Sequence, residues 1–342
     1  SKYIRLYTAS ALYFARMSAP LFLDTEPEDR PFVLAEFPDA VFGDGSLAGD
    51  ALISLCRDAE VISPFIYTQF TKAVIEKLPK LRLLCTRSVG FDHIDIAACE
   101  EKGIIVCNVP DYGSHVIAEH VFALLLSTLR HIPEGDKRVS SGEFDYRGLR
   151  GVALKNKTIG ILGTGKIGRA VARIAFGFGM TILAVDQCRT MELQEFFGVK
   201  YVSFAEMIAG SDIITLHVPA MPSTNHLLND AVFAQMKDGV ILVNTARGSL
   251  IDSKALLKAL ESGKVSRALL DVMEHESNFE ENKELTSHPN VVATPHIAFY
   301  ADDSMHKMFT ETFQSIHEWH AGKVPTHKVL PPKLVCDMPP IA

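Results

Sequence analysis

The sequence predicts an α/β fold of two Rossmann-like or flavodoxin-like domains, each a doubly wound parallel sheet, with a cleft between them. Three observations predict it. A chain of 342 residues is longer than one ordinary hydrophobic core serves, so two domains are expected. In the second half, short apolar runs recur at 158–162, 181–185, 213–218, 240–243, 268–272 and 291–294. Helix-compatible stretches at 167–178, 231–236 and 253–261 lie between several of them. Such continuous apolar runs are what strands buried on both faces require, and helical crossovers between them make the sheet parallel.

The first hundred residues repeat the alternation on a smaller scale. Apolar runs at 61–66, 81–85 and 104–109 are separated by helix-compatible segments at 71–77 and 94–102. From 114 to 130 the apolar pattern is long enough for a connecting helix, with Ser114 as its N-cap and Pro133 just past its end. A Gly-rich, charged loop follows at 140–151, and the final helix, 302–320, precedes a Pro-rich tail.

Composition excludes several classes of function. With 47% hydrophobic and 22% charged residues the chain has the balance of a folded globular protein. A formal net charge of -7 gives no broad attraction to nucleic acid or to anionic membranes. No apolar run approaches the length a bilayer needs, and no charged-then-apolar leader is present, so a cytoplasmic protein is expected. The cysteines, Cys56, Cys85, Cys99, Cys107, Cys188 and Cys336, form no C-x-x-C pair and are read as reduced thiols. The spacing of His115, Glu119 and His120 does not match a zinc helix, so no metal is expected.

The most specific local signal is Gly163-Thr-Gly165-Lys166-Ile167-Gly168, at the end of one apolar run and the start of an amphipathic stretch. Gly163 permits a tight turn, Gly165 lets the backbone approach a pyrophosphate, and Gly168 lets helix and strand pack closely. The helix N-terminus then offers free N–H groups and partial positive charge to the phosphates. The next apolar run ends in Asp186, at about the ~20-residue distance where an acid meets the ribose hydroxyls of a dinucleotide. A carboxylate there repels a 2′-phosphate, so NAD is expected over NADP, with Arg189 as a nearby counter-indication.

Ligands of open α/β sheets bind beyond the carboxyl ends of the strands. Those ends carry the glycine turn, Asp186, His217-Val218-Pro219, Asn244-Thr245-Ala246-Arg247, Asp271 with Glu276 in the following loop, and Thr294-Pro-His296. An arginine, an acid and a histidine therefore fall where a substrate beside a nicotinamide would lie. Hydride transfer to or from a secondary alcohol needs one group that accepts and returns a proton, and a histidine does both near neutral pH. His296 is the candidate, with Glu276 as the carboxylate that would stabilise its imidazolium. Arg247 supplies a planar, permanently charged fork suited to a substrate carboxylate and carbonyl. His217 is read as a wall of the adenosine site. Taken singly, strand-end His and Arg residues are as often surface ion pairs, and only their joint occurrence with the glycine turn favours chemistry.

These motifs resemble the D-isomer-specific 2-hydroxyacid dehydrogenase family. The matching pieces are Ser88-Val89-Gly90-Phe-Asp92-His-Ile-Asp95, Val109-Pro-Asp-Tyr112, the glycine turn, Leu216-His-Val-Pro219, Asn244-Thr-Ala-Arg247-Gly-Ser-Leu-Ile-Asp252, Asp271-Val272 with Glu276, and Thr294-Pro-His296-Ile-Ala. The resemblance implies Arg247, Glu276 and His296 as the catalytic set. It implies backbone N–H groups of Ser88, Val89 and Gly90 on the substrate carboxylate, and Asp271 near the nicotinamide carboxamide. It also implies a substrate domain of 1–110 plus 302–342, an NAD-binding Rossmann domain of 111–301, hinges near 109–112 and 297–302, and a homodimer packed through the NAD domains.

Within the family, Tyr112 and His296-Ile-Ala-Phe299-Tyr300 are similar to the D-lactate dehydrogenase branch, where an aromatic wall limits the substrate side chain. That favours reduction of pyruvate to D-lactate. Glyoxylate or hydroxypyruvate reduction, or action on a larger 2-keto acid, are the alternatives. Ser88 stands where the family has a glycine, and the first sixty residues match nothing in it. Because fold does not fix function, an NAD-sensing binding protein similar to the corepressors that share this fold is the reading from a different class.

Overall fold

The computed structural model describes residues 18–43, 47–276 and 278–330. The first seventeen residues and the Pro-rich tail from 331 onward, including Cys336, lie outside the described residues. The chain divides into two compact units, one ending at Tyr112 and resuming at Asp302, the other running from Gly113 to Ala301. The first division thus falls two residues later than the boundary read from the sequence. Lys307, on the returning helix, donates to the carbonyl of Asp111 and keeps that residue with the first unit.

The first unit holds a five-stranded, all-parallel sheet of β1 (Leu21–Leu23), β2 (Val41–Gly43), β3 (Val61–Ser63), β4 (Leu83–Cys85) and β5 (Ile105–Cys107), in the order β2-β1-β3-β4-β5. Side chains alternate across a strand, and the two faces separate accordingly. Leu21, Leu23, Ile62, Leu84 and Val106 join Leu52, Ile75 and Cys99 on one side. Phe22, Val61, Leu83, Cys85 and Cys107 meet Phe309, Phe313 and Ile316 of the helix Asp302–His320 on the other. That helix therefore belongs to this sheet although some two hundred residues of sequence separate them. Two strands here, β1 and β2, come from the region in which the sequence suggested no element.

The second unit is a seven-stranded parallel sheet of β6 (Thr158–Leu162), β7 (Thr181–Val185), β8 (Lys200–Tyr201), β9 (Ile213–Leu216), β10 (Val240–Asn244), β11 (Val265–Leu270) and β12 (Val291–Ala293). Its order, β12-β11-β10-β9-β6-β7-β8, reverses direction between β6 and β9. In a doubly wound sheet that switch point is where the loops part and a ligand can enter. The sequence suggested six strands; the seventh, β8, has only two residues and no apolar run to betray it. Helix Lys166–Gly177 packs beneath Ser114–Leu129, and Phe122 stacks on Phe178 with ring centroids 5.3 Å apart. Ser114 is the first helical residue, with Gly113 at the cap position, and Pro133 opens a second helix, Ile132–Ser140, where its missing N–H costs nothing. Both points correct the sequence reading of that turn.

Among the described residues no helix is long and apolar enough to cross a membrane. Cys56, Cys85, Cys99 and Cys107 are buried free thiols. Cys188 is disulfide-bonded, which departs from the expectation of reduced thiols throughout.

Candidate active site

The glycine turn between β6 and the helix Lys166–Gly177 is fixed by close approach. Gly163 has φ +94, and a side chain there would press on the carbonyl of His217 at 2.8 Å. A Cβ on Gly168 would lie 2.0 Å from the Gly163 carbonyl oxygen, so helix and turn can meet only through hydrogen atoms. Gly165, at the helix N-cap, faces no protein atom within 4 Å and brings no side-chain cap, so a ligand can approach the helix N-terminus closely just ahead of Lys166 and Ile167. We expect Gly168→Ala to cost about 1–3 kcal/mol of stability through overpacking and to weaken NADH binding at least tenfold, measured by thermal melts and fluorescence titration. An unchanged melting temperature and affinity would contradict the packing account.

Asp186, at the end of β7, accepts from the Thr164 N–H at 2.5 Å, from the Thr164 hydroxyl at 3.1 Å and from the Cys188 N–H at 2.9 Å. It thereby braces the glycine turn against the next loop. Three further polar atoms on this edge are buried without a hydrogen-bond partner: Arg189 Nε, His217 Nδ1 and Thr245 Oγ1. Buried polar atoms are rarely left unpaired, and three on one strand edge fit a polar ligand that satisfies them. A helix N-terminus with no side-chain cap, a ribose-range carboxylate and these orphans together suit a dinucleotide. His217 is half-buried, its Nε2 meets Thr215 Oγ1 at 2.9 Å, and desolvation of the ring pulls its pKa down to about 3. It therefore stays neutral and is unsuited to proton transfer. Val218 and Ala246 are half-buried and Pro219 is exposed on the same edge.

The loops after β10, β11 and β12 bring the remaining residues together. His296 Nδ1 lies 3.0 Å from Glu276 Oε2. An ionised carboxylate only accepts, so Nδ1 carries the hydrogen and Nε2 is left to exchange a proton with a substrate. Burial alone would raise the Glu276 carboxyl, but the hydrogen bond and charge of His296, the Met273 N–H at 3.2 Å and the charge of Arg247 outweigh it and hold the group below the usual range. Glu276 is thus an anion at neutral pH, and Arg247 is close enough to feel it. Arg247 itself donates from Nη1 to the Ala246 carbonyl at 2.8 Å. Phe299 is buried beside His296, ring centroids 6.2 Å apart and edge-on, with Tyr300 against it.

His296 has φ +54, a left-handed conformation that a side-chain-bearing residue rarely adopts. Asp271 stabilises it. The Asp271 carbonyl accepts from the His296 N–H at 2.9 Å. Its buried carboxylate accepts from the N–H groups of Ile297 and Ala298 at 2.9 and 2.8 Å and from the Thr294 hydroxyl. His120, given no role from the sequence, reaches Thr294 Oγ1 at 3.1 Å and Asp271 at 3.5 Å. It sits on a helix 174 residues away in sequence from Thr294, so no local pattern marks it.

The residues assigned to the substrate carboxylate lie in the first unit, in the loop after β4. Ser88 is buried, its hydroxyl 2.7 Å from Thr86 Oγ1 and donating to the Gly90 carbonyl at 2.6 Å. Asn108 donates to the Val89 carbonyl at 2.7 Å. The N–H groups of Ser88, Val89 and Gly90 find no acceptor among the described residues. Beneath them the buried Arg87 donates to Ser63 and to the carbonyls of Leu23 and Asp24, tying the ends of β1 and β3 to the loop. Asp24 in turn accepts from the N–H groups of Phe65 and Thr68. Tyr112 is buried at the end of this unit.

Comparison with known proteins agrees with this geometry. Residues 122–298 match the model of the family described as D-isomer specific 2-hydroxyacid dehydrogenase, NAD binding domain. The chain is 38% identical over 299 residues to a 2-hydroxyacid dehydrogenase homolog of Haemophilus influenzae, covering 83% of this chain and 90% of that one. It is 37% identical over 283 residues to a glyoxylate reductase of Pyrococcus furiosus, covering 81% and 84%. Among solved structures, the D-lactate dehydrogenase of Aquifex aeolicus, complexed with NAD and lactic acid, superposes with a TM-score of 0.83 at 35% identity, covering 92% of this chain and all of that one.

Proposed function

The chain belongs to the D-isomer-specific 2-hydroxyacid dehydrogenase family, binds NAD, and on that premise we propose that it reduces a small 2-keto acid, pyruvate first, to the D-2-hydroxy acid. The observation that supports this most is the Glu276–His296 hydrogen bond on the same strand edge as the glycine turn and Arg247. NADH, when bound, supplies the hydride. His296, protonated and steadied by Glu276, gives its Nε2 proton to the carbonyl oxygen as it becomes an alcohol. Arg247 holds the carboxylate and the polarised oxygen through charge-assisted bonds. The N–H groups of Ser88, Val89 and Gly90 are assigned the same carboxylate, because a row of unpaired backbone donors suits an anion. Phe299, edge-on to His296, and Tyr112 are assigned the aromatic wall, which favours a methyl-sized substrate over a branched one. Asp271 is assigned the nicotinamide carboxamide, beside its observed bonds to the His296 loop.

A panel of 2-keto acids assayed with NADH and NADPH tests the reading. Pyruvate should give the highest kcat/KM, with NADH preferred over NADPH. A preference for glyoxylate, hydroxypyruvate or a branched acid would move the specificity, and turnover of no 2-keto acid at all would leave a nucleotide-sensing protein.

Two further outcomes are expected. Glu276→Gln removes the anion that steadies the imidazolium, and reduction uses His296 in its protonated form. The alkaline limb of the kcat/KM profile for reduction should therefore move to lower pH. An unmoved limb would uncouple the two side chains. A homodimer is also expected. Ile132, Val139, Phe144 and Tyr146 of the segment after the helix Ser114–Leu129 are 59, 55, 95 and 86% exposed, which is unusual for a cluster with no partner. Light scattering should give a dimer, and Phe144→Asp with Tyr146→Asp should dissociate it; a wild-type monomer would contradict the assignment.

A further inference from the structure

His226 lies outside every motif above and follows β9 in the loop before the short helix Asp230–Gln235. Its Nε2 donates to Glu274 Oε1, and its Nδ1 is 3.8 Å from Asp252 Oδ2. It is one of few side-chain-bearing residues with positive φ, +48, so its placement is imposed by its surroundings. Its backbone N–H donates to the Ser249 carbonyl at 2.8 Å. Leu228 and Asp252 then continue a short ladder through Leu228 N to Leu250 O and Asp252 N to Leu228 O, both 3.0 Å. Glu274 also accepts from the Ser253 N–H at 3.2 Å. His275 approaches Glu274 at 4.0 Å and Glu281 at 3.5 Å, and Asp252 is occupied in capping the helix Ser253–Glu261.

Three loops therefore converge on one imidazole: the one after β9, the one after β10 that bears Arg247, and the one after β11 that bears Glu276. The second and third meet backbone to backbone. A Cβ on Gly248 would lie 1.9 Å from the carbonyl carbon and oxygen of Met273 and 2.4 Å from the Glu274 nitrogen. Met273 in turn donates its N–H to Glu276. We infer that His226 is a positioning residue: by holding Glu274 it sets the loop that aims Glu276 at His296, and through its own backbone it registers that loop against Arg247. Consistent with a tight latch, hydrogen bonds from His226 and Ser253 overcome the burial of Glu274 and hold its carboxyl below the usual range.

The inference rests on the proposed reaction for its kinetic consequence and on the geometry alone for its structural one, and the test separates them. His226→Ala should lower kcat/KM for pyruvate reduction at least tenfold while the NADH dissociation constant stays within twofold. In a Glu276→Gln background, where the acid it aims is already gone, the same substitution should cost less than twofold. Glu274→Gln, whose amide oxygen still accepts from His226, should retain most activity, whereas Glu274→Ala should match His226→Ala. Independently of turnover, hydrogen exchange of a peptide spanning 270–276 should quicken at least tenfold in His226→Ala. His226→Leu, which fills the space but has no donor, serves for both arms if the alanine variant does not fold. Undiminished turnover, an equal loss in the Glu276→Gln background, or unchanged exchange would each overturn the latch. If the wild-type protein reduces no 2-keto acid, the functional reading fails and the exchange measurement alone decides the latch.

Discussion

His296→Gln should reduce kcat for pyruvate reduction by about 10²–10⁴-fold, the range a positioned general acid contributes, while NADH still binds with near-wild-type affinity. Glutamine puts a non-ionising amide near the position of Nε2, and the loop stays held because Asp271 grips it through the backbone N–H groups of Ile297 and Ala298. What it lacks is a proton to give at the position of Nε2. Stopped-flow absorbance of NADH with saturating pyruvate separates the two effects, since binding and hydride transfer are read in one trace. Wild-type turnover in this variant would remove His296 from the chemistry.

Arg247→Lys is the second large effect, and it tests geometry where the first tests protonation. Lysine keeps the charge, but a compact ammonium cannot bridge a carboxylate and a carbonyl oxygen as a planar fork does. Losing one charge-assisted bond costs about 1.5–3 kcal/mol, or roughly ten- to a hundredfold and more in kcat/KM. The electrostatic support that Arg247 lends the Glu276 anion would largely survive. The pH profile should therefore stay in place while the rate falls, the reverse of the pattern expected for Glu276→Gln. A lysine variant with near-normal kcat/KM would show that a point charge suffices.

How far sequence reasoning reached depends on how local each signal was. The glycine turn was legible because three glycines within six positions, an apolar strand before them and an acid after the next strand are one continuous stretch of chain. Arg247, Glu276 and His296 were legible as a group because a parallel sheet places every strand's carboxyl end on one edge, so apolar runs alone order the loops that follow them. What escaped was of two kinds. Strands β2 and β8 are short, half-exposed edge pieces, held by pairing with β1 and β7, and carry no apolar run of their own. The supports of the site, His120 on Asp271 and His226 on Glu274, join residues far apart in sequence, and nothing in either neighbourhood advertises the partner. Asp271 itself was found, but the chain of hydrogen bonds by which it holds the left-handed His296 was not, because a backbone conformation is invisible in residue types.

The assignment of one proton donor and one carboxylate clamp to a single nicotinamide-facing edge is tested most directly by following the hydride itself. With NADH deuterated at the transferring position of the nicotinamide C4 and pyruvate as substrate, the product should be D-lactate carrying one deuterium at C2, formed in proportion to the NADH consumed. L-lactate, lactate without deuterium, or bound NADH that is never oxidised by pyruvate or any other 2-keto acid would contradict the account.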